Sequence, residues 1–186
     1  ESALAQAGPD EAALPSLRLA LARQGLRPAS VARCFALVSL LAHRHLGLRP
    51  FDAQLLAARA VIDNRLAEMA TGDGKTLAIA IAAATAALTG MPVHVITAND
   101  YLVTRDAAWL RPLYAALGLR AATRLPPDSA AARSQAYGCD ITYVTAKELV
   151  FDYLRDGLTG TVGAHGATAK RRRDALAAPL ARLHPT

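Results

Sequence analysis

The sequence predicts an α/β fold, a parallel sheet flanked by helices, and two observations carry that prediction. A glycine-bracketed turn, Thr71-Gly72-Asp73-Gly74-Lys75-Thr76, stands between the short apolar segment 65–70 and the helix-forming run Leu77-Ala78-Ile79-Ala80-Ile81-Ala82-Ala83-Ala84, in the order strand, loop, helix. Downstream, β-branched runs at Val93–Thr97 and 140–145 alternate with stretches of helical periodicity. Strands that alternate with helices build right-handed βαβ units, whose ligands sit at the carboxyl edge of the sheet.

The composition agrees with a packed domain. With 186 residues, 53% of them hydrophobic and 19% charged, the chain can bury a full core as one domain, or one domain plus an appended helical piece, and is not a disordered protein. A formal net charge of +6 favours an acidic partner such as nucleotide, nucleic acid or anionic lipid. Cys34 and Cys139 form no C-x-x-C pair, which fits reduced thiols in a cytosolic protein. The apolar stretch 77–96 is broken by Gly90-Met91-Pro92, which leaves roughly twelve apolar-rich helical residues where a bilayer span needs ~20. The first residues, Glu1-Ser2-Ala3-Leu4, lack the basic start and apolar core of a signal peptide. An opening glutamate in place of methionine points to a fragment or a processed start.

Taken in order, Leu14, Leu17, Leu19 and Leu21 with Arg18 and Arg23 predict a helix over 10–24 that Gly25 ends. Pro28 opens a second helix, in which Val31, Phe35, Val38 and Leu41 recur at helical spacing up to Gly47. His43 and His45 sit on its last turn as solvated side chains at the negative helix end. A third helix starts near Asp52, read as its cap, with Gln54 in the first turn. Gln54 has a second reading, because a side-chain amide offers the donor and acceptor that match the N6 and N7 edge of adenine. After the strand Val93–Thr97, Asn99 or Asp100 caps a helix running to Leu117-Gly118, and a weaker strand covers 119–123. Pro126-Pro127-Asp128-Ser129 turns into an alanine-rich helix, and the strand 140–145 leads to a helix over 147–155. Beyond Gly157, the glycines at 160, 163 and 166 and the run Lys170-Arg171-Arg172-Arg173 read as a flexible, solvated linker or insertion.

The turn at 71–76 has the chemistry of a triphosphate site. Gly72 and Gly74 allow successive N–H groups to converge on phosphate oxygens, and the start of the following helix adds unpaired N–H groups and a positive dipole end. Lys75 would reach the β- and γ-phosphates and the Thr76 hydroxyl would bind Mg²⁺. Position 69, glycine in the strict phosphate-loop pattern, is methionine here.

Several separate blocks then bring a family into view. Arg49-Pro50-Phe51-Asp52-Ala53-Gln54, Glu68-Met69-Ala70-Thr71-Gly72-Asp73-Gly74-Lys75-Thr76, Val93–Thr97 with Ala98-Asn99-Asp100-Tyr101-Leu102, Asp140-Ile141-Thr142-Tyr143 and Phe151-Asp152-Tyr153-Leu154-Arg155-Asp156 occur in the order of the SecA family. The chain resembles these ATPase motors of bacterial preprotein translocation over about residues 27–156, and the family also carries methionine at the position of Met69. The resemblance implies a RecA-like phosphate-loop domain that binds ATP and Mg²⁺. It makes Gln54 the adenine reader with Arg49 and Phe51 beside the base, and Gly72, Asp73, Gly74, Lys75 and Thr76 the phosphate loop, where Asp73 replaces a usual glutamate. Lys75 and Thr76 are then the catalytic residues and Thr76 the Mg²⁺ ligand. The blocks around Asn99 and Tyr153 match helicase-type motifs that pass nucleotide state on to the rest of the machine. After Asp140-Ile141-Thr142-Tyr143 the family usually has Gly-Thr-Asn-Asn-Glu, where this chain has Val144-Thr145-Ala146-Lys147-Glu148.

By that resemblance the chain divides into a helical extension at 1–47, an incomplete RecA-like domain at 48–156 and a linker or insertion at 157–186. Its partners would be the SecYEG channel and preproteins, with anionic phospholipid and a second copy of the chain as further contacts and no specific nucleic acid. Its place would be the cytoplasm and the cytoplasmic face of the bacterial inner membrane. The nucleotide-binding core of a nucleic-acid helicase is the alternative that the basic charge leaves open. A motor of this class also needs an Asp-Glu pair on a later strand and a second RecA-like domain that supplies an arginine. No Asp-Glu pair follows Asp156, so the 186 residues alone are expected to bind nucleotide and hydrolyse it negligibly.

Overall fold

The structure, a computed structural model, describes residues 13–158. The expectations for Asp10-Glu11, for Gly160, Gly163 and Gly166, and for the basic run at 170–173 lie outside these residues. Seven helices and three strands follow one another as α1 (Leu14–Gln24), α2 (Pro28–Leu46), α3 (Asp52–Ile62), α4 (Lys75–Leu88), β1 (Val93–Thr97), α5 (Asp100–Ala116), β2 (Ala121–Thr123), α6 (Ala130–Tyr137), β3 (Ile141–Thr145) and α7 (Ala146–Leu158). The class is α/β, as the sequence predicts. Two compact units make up the chain, one of residues up to Thr89 with Pro112–Leu119, the other of Gly90–Arg111 with residues from Arg120 on. The division falls inside α5 at Pro112, a residue that cannot donate a bond to the preceding turn.

The first unit is helical. Helix α2 ends as its sequence predicts: Gly47 takes φ +71° and its N–H reaches His43 O, while Leu48 N–H closes on Ala42 O. Helix α4 packs against α2 and α3. Its alanines at 78, 80, 82, 83, 84 and 87 are all buried and let neighbouring backbones approach closely. The core of this unit gathers Leu17, Leu21, Val38, Leu41, Ile81 and Leu117. Arg18 holds it from one side by donating from Nη2 to Leu117 O at 2.7 Å and Gly118 O at 3.0 Å, a cation on the carbonyl end of α5.

The second unit holds the sheet, in the order β1-β3-β2, with both pairings parallel. The central strand β3 is buried at every position, consistent with its unbroken run of Ile141, Thr142, Tyr143, Val144 and Thr145. Register places Val93 and Ala121 on either side of Ile141. Helices α6 and α7 pack on this sheet. Asn99, not Asp100, caps α5, its Oδ1 accepting from Leu102 N–H at 2.9 Å, and Ser129 caps α6 in the same way.

Three expectations are corrected. Residues 65–70 form no strand: among the described residues nothing pairs with them, and Leu66 is 97% exposed. A parallel strand is stable only with neighbours on its ladder. Strand β2 begins at Ala121 and not at 119, because Leu119 N–H closes the end of α5 on Tyr114 O. Asp52 is the first residue of α3 and not its cap; Phe51 occupies the cap position, and the side chain of Gln54 reaches back to it.

Candidate functional site

The glycine-rich turn and the start of α3 meet within the first unit. Gly72 and Gly74 adopt φ +96° and +75°, angles that disfavour any side chain. Met69 keeps negative φ, so methionine replaces the pattern's glycine without strain. The loop is closed by its own residues: Asp73 Oδ2 accepts from Ala70 N–H at 2.9 Å, and Lys75 Nζ donates to Ala70 O at 2.6 Å. Residues 71–75 are exposed and Thr76 is half-buried on the first turn of α4. Helix α4 starts at Lys75, so its unpaired first-turn amides belong to the loop. The loop, the first turn of α4 and the lysine thus lie together.

Gln54 is only 5% exposed, and both ends of its amide are used. Its Oε1 accepts from Phe51 N–H at 3.0 Å, and its Nε2 donates to Asp73 O at 2.9 Å. Each of these bonds leaves the amide one further acceptor position and one further N–H. A Cβ on Gly74 would collide with Gln54 Nε2, so glycine at 74 serves the approach of Gln54 as well as the turn. Phe51, 74% exposed, stands at the same corner. Arg49 is exposed on the connection before α3, with Nη2 3.4 Å from His43 Nε2. The structure thus gathers Phe51, Gln54 and residues 72–75, and places Arg49 toward the end of α2.

A second polar centre lies within the sheet-bearing unit. Arg124, directly after β2, is 3% exposed and donates from Nε to Asp152 Oδ2 at 2.6 Å and from Nη2 to Asp152 Oδ1 at 3.0 Å and Glu148 Oε2 at 2.9 Å. Tyr137 OH donates to Asp152 Oδ2 at 2.9 Å. Burial pushes the Asp152 carboxyl up, but the bonds from Arg124 and Tyr137 outweigh it and hold it below the usual carboxylate range. Burial and the bond to Asp152 together drive the Tyr137 phenol upward, which keeps it a donor. Beside this cluster, His94, Tyr137, Leu149, Asp152, Tyr153 and Asp156 line a small cavity of about 100 Å³. Sequence reasoning missed Arg124. Glu148 and Asp152 share one face of α7 at i, i+4, but nothing local to them names the cation that pairs with them.

Comparison with known proteins decides the family. A family model described as the SecA DEAD-like domain matches residues 11–172. The chain belongs to the SecA family. It is 48% identical over 145 residues to a protein translocase subunit SecA 2 of Nitrosospira multiformis, covering 78% of this chain and 22% of that protein. It is 48% identical to a protein translocase subunit SecA of Chromohalobacter salexigens, covering 67% and 14%, and 49% identical to one of Thermus thermophilus, covering 67% and 12%. The chain therefore spans about a fifth or less of the length of these curated relatives. As a SecA DEAD-like domain it has a RecA-like fold. Within Val144–Glu148, Thr145 Oγ1 accepts from Glu148 N–H at 3.4 Å at the start of α7, and Glu148 pairs with Arg124.

Proposed function

We propose that this chain is the adenine-nucleotide-binding part of a SecA-type motor that couples ATP hydrolysis to preprotein movement through the SecYEG channel. The observation that carries the reading is the corner where the glycine loop at the start of α4 meets the amide of Gln54. The N–H groups of the loop and of the first turn of α4 would hold the phosphates, and Lys75 would leave Ala70 O for the β- and γ-oxygens. The free N–H and acceptor position of Gln54 match adenine N7 and N6, with Phe51 against the base and Arg49 near it. The Thr76 hydroxyl, at the second position of α4, would hold Mg²⁺, which would supply neutralisation of phosphate charge there.

The same reading gives residues 1–47 as a helical extension, 48–156 as an incomplete RecA-like domain and 157–186 as a linker. It places the motor in the cytoplasm and on the cytoplasmic face of the inner membrane, with preproteins, SecYEG, anionic phospholipid and a second copy as partners. No helix of the described residues is long and apolar enough to cross a membrane. The test is titration calorimetry of the chain with ATP and Mg²⁺. Saturable binding that Lys75→Ala weakens is the expected result, with negligible turnover because no Asp-Glu pair follows Asp156. Losing a preorganised transition-state group costs about 10²–10³ in rate. Absence of ATP binding would overturn the proposal, and turnover by the chain that is lost on Lys75→Ala would overturn the expected inactivity.

A further inference from the structure

The outer edge of the sheet is open. Ile141 N–H donates to Arg120 O and Arg124 N–H to Tyr143 O, so residues 120, 122 and 124 bond to β3, while 121 and 123 turn N–H and C=O away from it. Strand β2 is last in the order β1-β3-β2, and among the described residues nothing pairs with that side. A cavity of about 510 Å³ runs along it. One wall is the α5 stripe Thr104, Ala107, Ala108 and Arg111, at the i, i+3, i+4, i+7 spacing of a single helix face. The other is the α6 stripe Ala132, Gln135 and Ala136, which continues to Cys139. Seven residues of helix rise about 10 Å. A strand of that length, about 4.8 Å from its neighbour in a layer about 10 Å thick, fills about 480 Å³, whereas a helix about 10 Å across needs about 800 Å³. The cavity therefore has the size of a strand. Of the arginines in the described part of this unit, those at 105, 120, 124, 133 and 155 are in ion pairs, and Arg111 makes none among the described residues. Because α5 leads back to the start of β2, Arg111 lies toward the amino end of the open edge.

We propose that this edge is a docking groove for an extended segment of another polypeptide, which joins the sheet as a further strand beside β2 and sets an acidic side chain on Arg111. At ~3.3 Å per residue the groove takes about three residues of that segment. The outward N–H and C=O groups of 121 and 123 supply main-chain recognition, the alanine walls admit alternate side chains, and Arg111 selects charge. Two copies of this chain cannot join edge to edge here, because each edge lies between its own two helices. The groove belongs to the sheet-bearing unit and uses no residue of the nucleotide corner.

The experiment titrates the 186-residue chain with fluorescent pentapeptides of alanine, valine and threonine that carry glutamate, glutamine or lysine at each position in turn, read by anisotropy. Saturable binding is expected, tighter for glutamate than for glutamine by up to about fivefold, the scale of an exposed ion pair. Arg111→Glu should reverse the order of the glutamate and lysine peptides, and an unchanged order would overturn the role of Arg111. Ala108→Leu, at an exposed position of the wall, should fill the groove and abolish binding with the melting temperature unchanged. Bound peptide should also slow thiol labelling of Cys139, which lines the groove. Peptides with every backbone amide N-methylated should not bind, since they cannot donate to the open edge. Binding that survives methylation or Ala108→Leu would overturn the proposal, as would no binding by any peptide of the set. A dimer of the free chain that Ala108→Leu dissociates would overturn it too, by putting a second copy on this edge.

Discussion

Arg124 and Asp152 face each other as a buried two-pronged pair, Nε to Oδ2 at 2.6 Å and Nη2 to Oδ1 at 3.0 Å, with both side chains 5% exposed or less. Arg133 and Arg155 approach the same carboxylate at 3.5 and 3.1 Å, and Glu148 takes the remaining side of Arg124. The pair joins the end of β2 to the middle of α7, and Tyr137 brings in the end of α6. Three elements are therefore fastened by one ion cluster. Removing one partner leaves the other charged and buried, which typically costs about 3–5 kcal/mol.

The sign of the pH dependence follows from the lowered pKa of Asp152. Above the unfolded carboxyl's value near 4 the contribution of the pair is fully present. As pH falls further, the unfolded chain takes up a proton that the folded chain refuses, and stability declines until the folded value is passed. Urea unfolding of wild type and Asp152→Asn between about pH 6 and pH 3 should show a lower midpoint and a shallower acid decline in the variant. Identical acid slopes would remove Asp152 from this role.

Lys75→Ala is expected to weaken ATP binding by about 10- to 100-fold, the range of one charge-assisted hydrogen bond, without lowering the melting temperature appreciably. The lysine is exposed and its partner, Ala70 O, can turn to water. Calorimetry and a thermal melt on the same sample separate the two effects. A large fall in melting temperature would make Lys75 a structural clamp of the loop.

Gly74→Ala and Gly72→Ala should both destabilise by about 1–2 kcal/mol, because both glycines hold positive φ. Only Gly74 has a neighbour in the way, the amide of Gln54; a Cβ added at Gly72 would meet no atom within 4 Å beyond its chain neighbours. Combining each with Gln54→Ala therefore distinguishes them. Coupling is expected with Gly74 and additivity with Gly72, read from denaturant midpoints.

What the sequence made legible was whatever local chemistry writes down. The ends of α1 and α2 at Gly25 and Gly47, the apolar run of β3 and the glycine turn before α4 are each specified by neighbours in the chain. Gln54, Gly72 and Gly74 stand out in the sequence because their types and order match a chemistry. The segment 65–70 was misread because a short, partly apolar run becomes a strand only when a ladder partner exists, which no local pattern reports. Arg124 stayed invisible for the same reason: its partners lie 24 and 28 residues away on another element. The use of Gln54 by the loop itself, across 19 residues, is likewise a fact of packing.

The two cysteines give the last prediction. Cys34 is fully buried on α2, with Sγ 3.3 Å from Thr85 Oγ1 on α4, and that hydroxyl donates to Ile81 O at 2.8 Å. Burial pushes the Cys34 thiol up to about 11, against a smaller opposing effect of Thr85. Cys139 is half-buried, and burial raises its pKa as well. In the native chain near neutral pH a thiol reagent should therefore label Cys139 slowly and Cys34 only on unfolding. Because the folded value of Cys34 lies above the unfolded one near 9, its contribution is fully present below pH 9 and is lost as pH rises toward 11. Cys34→Ala should flatten that alkaline decline while opening a small cavity at the contact between α2 and α4. If both thiols of the native protein react at one rate, the packing of α2 on α4 described above is not the packing in solution.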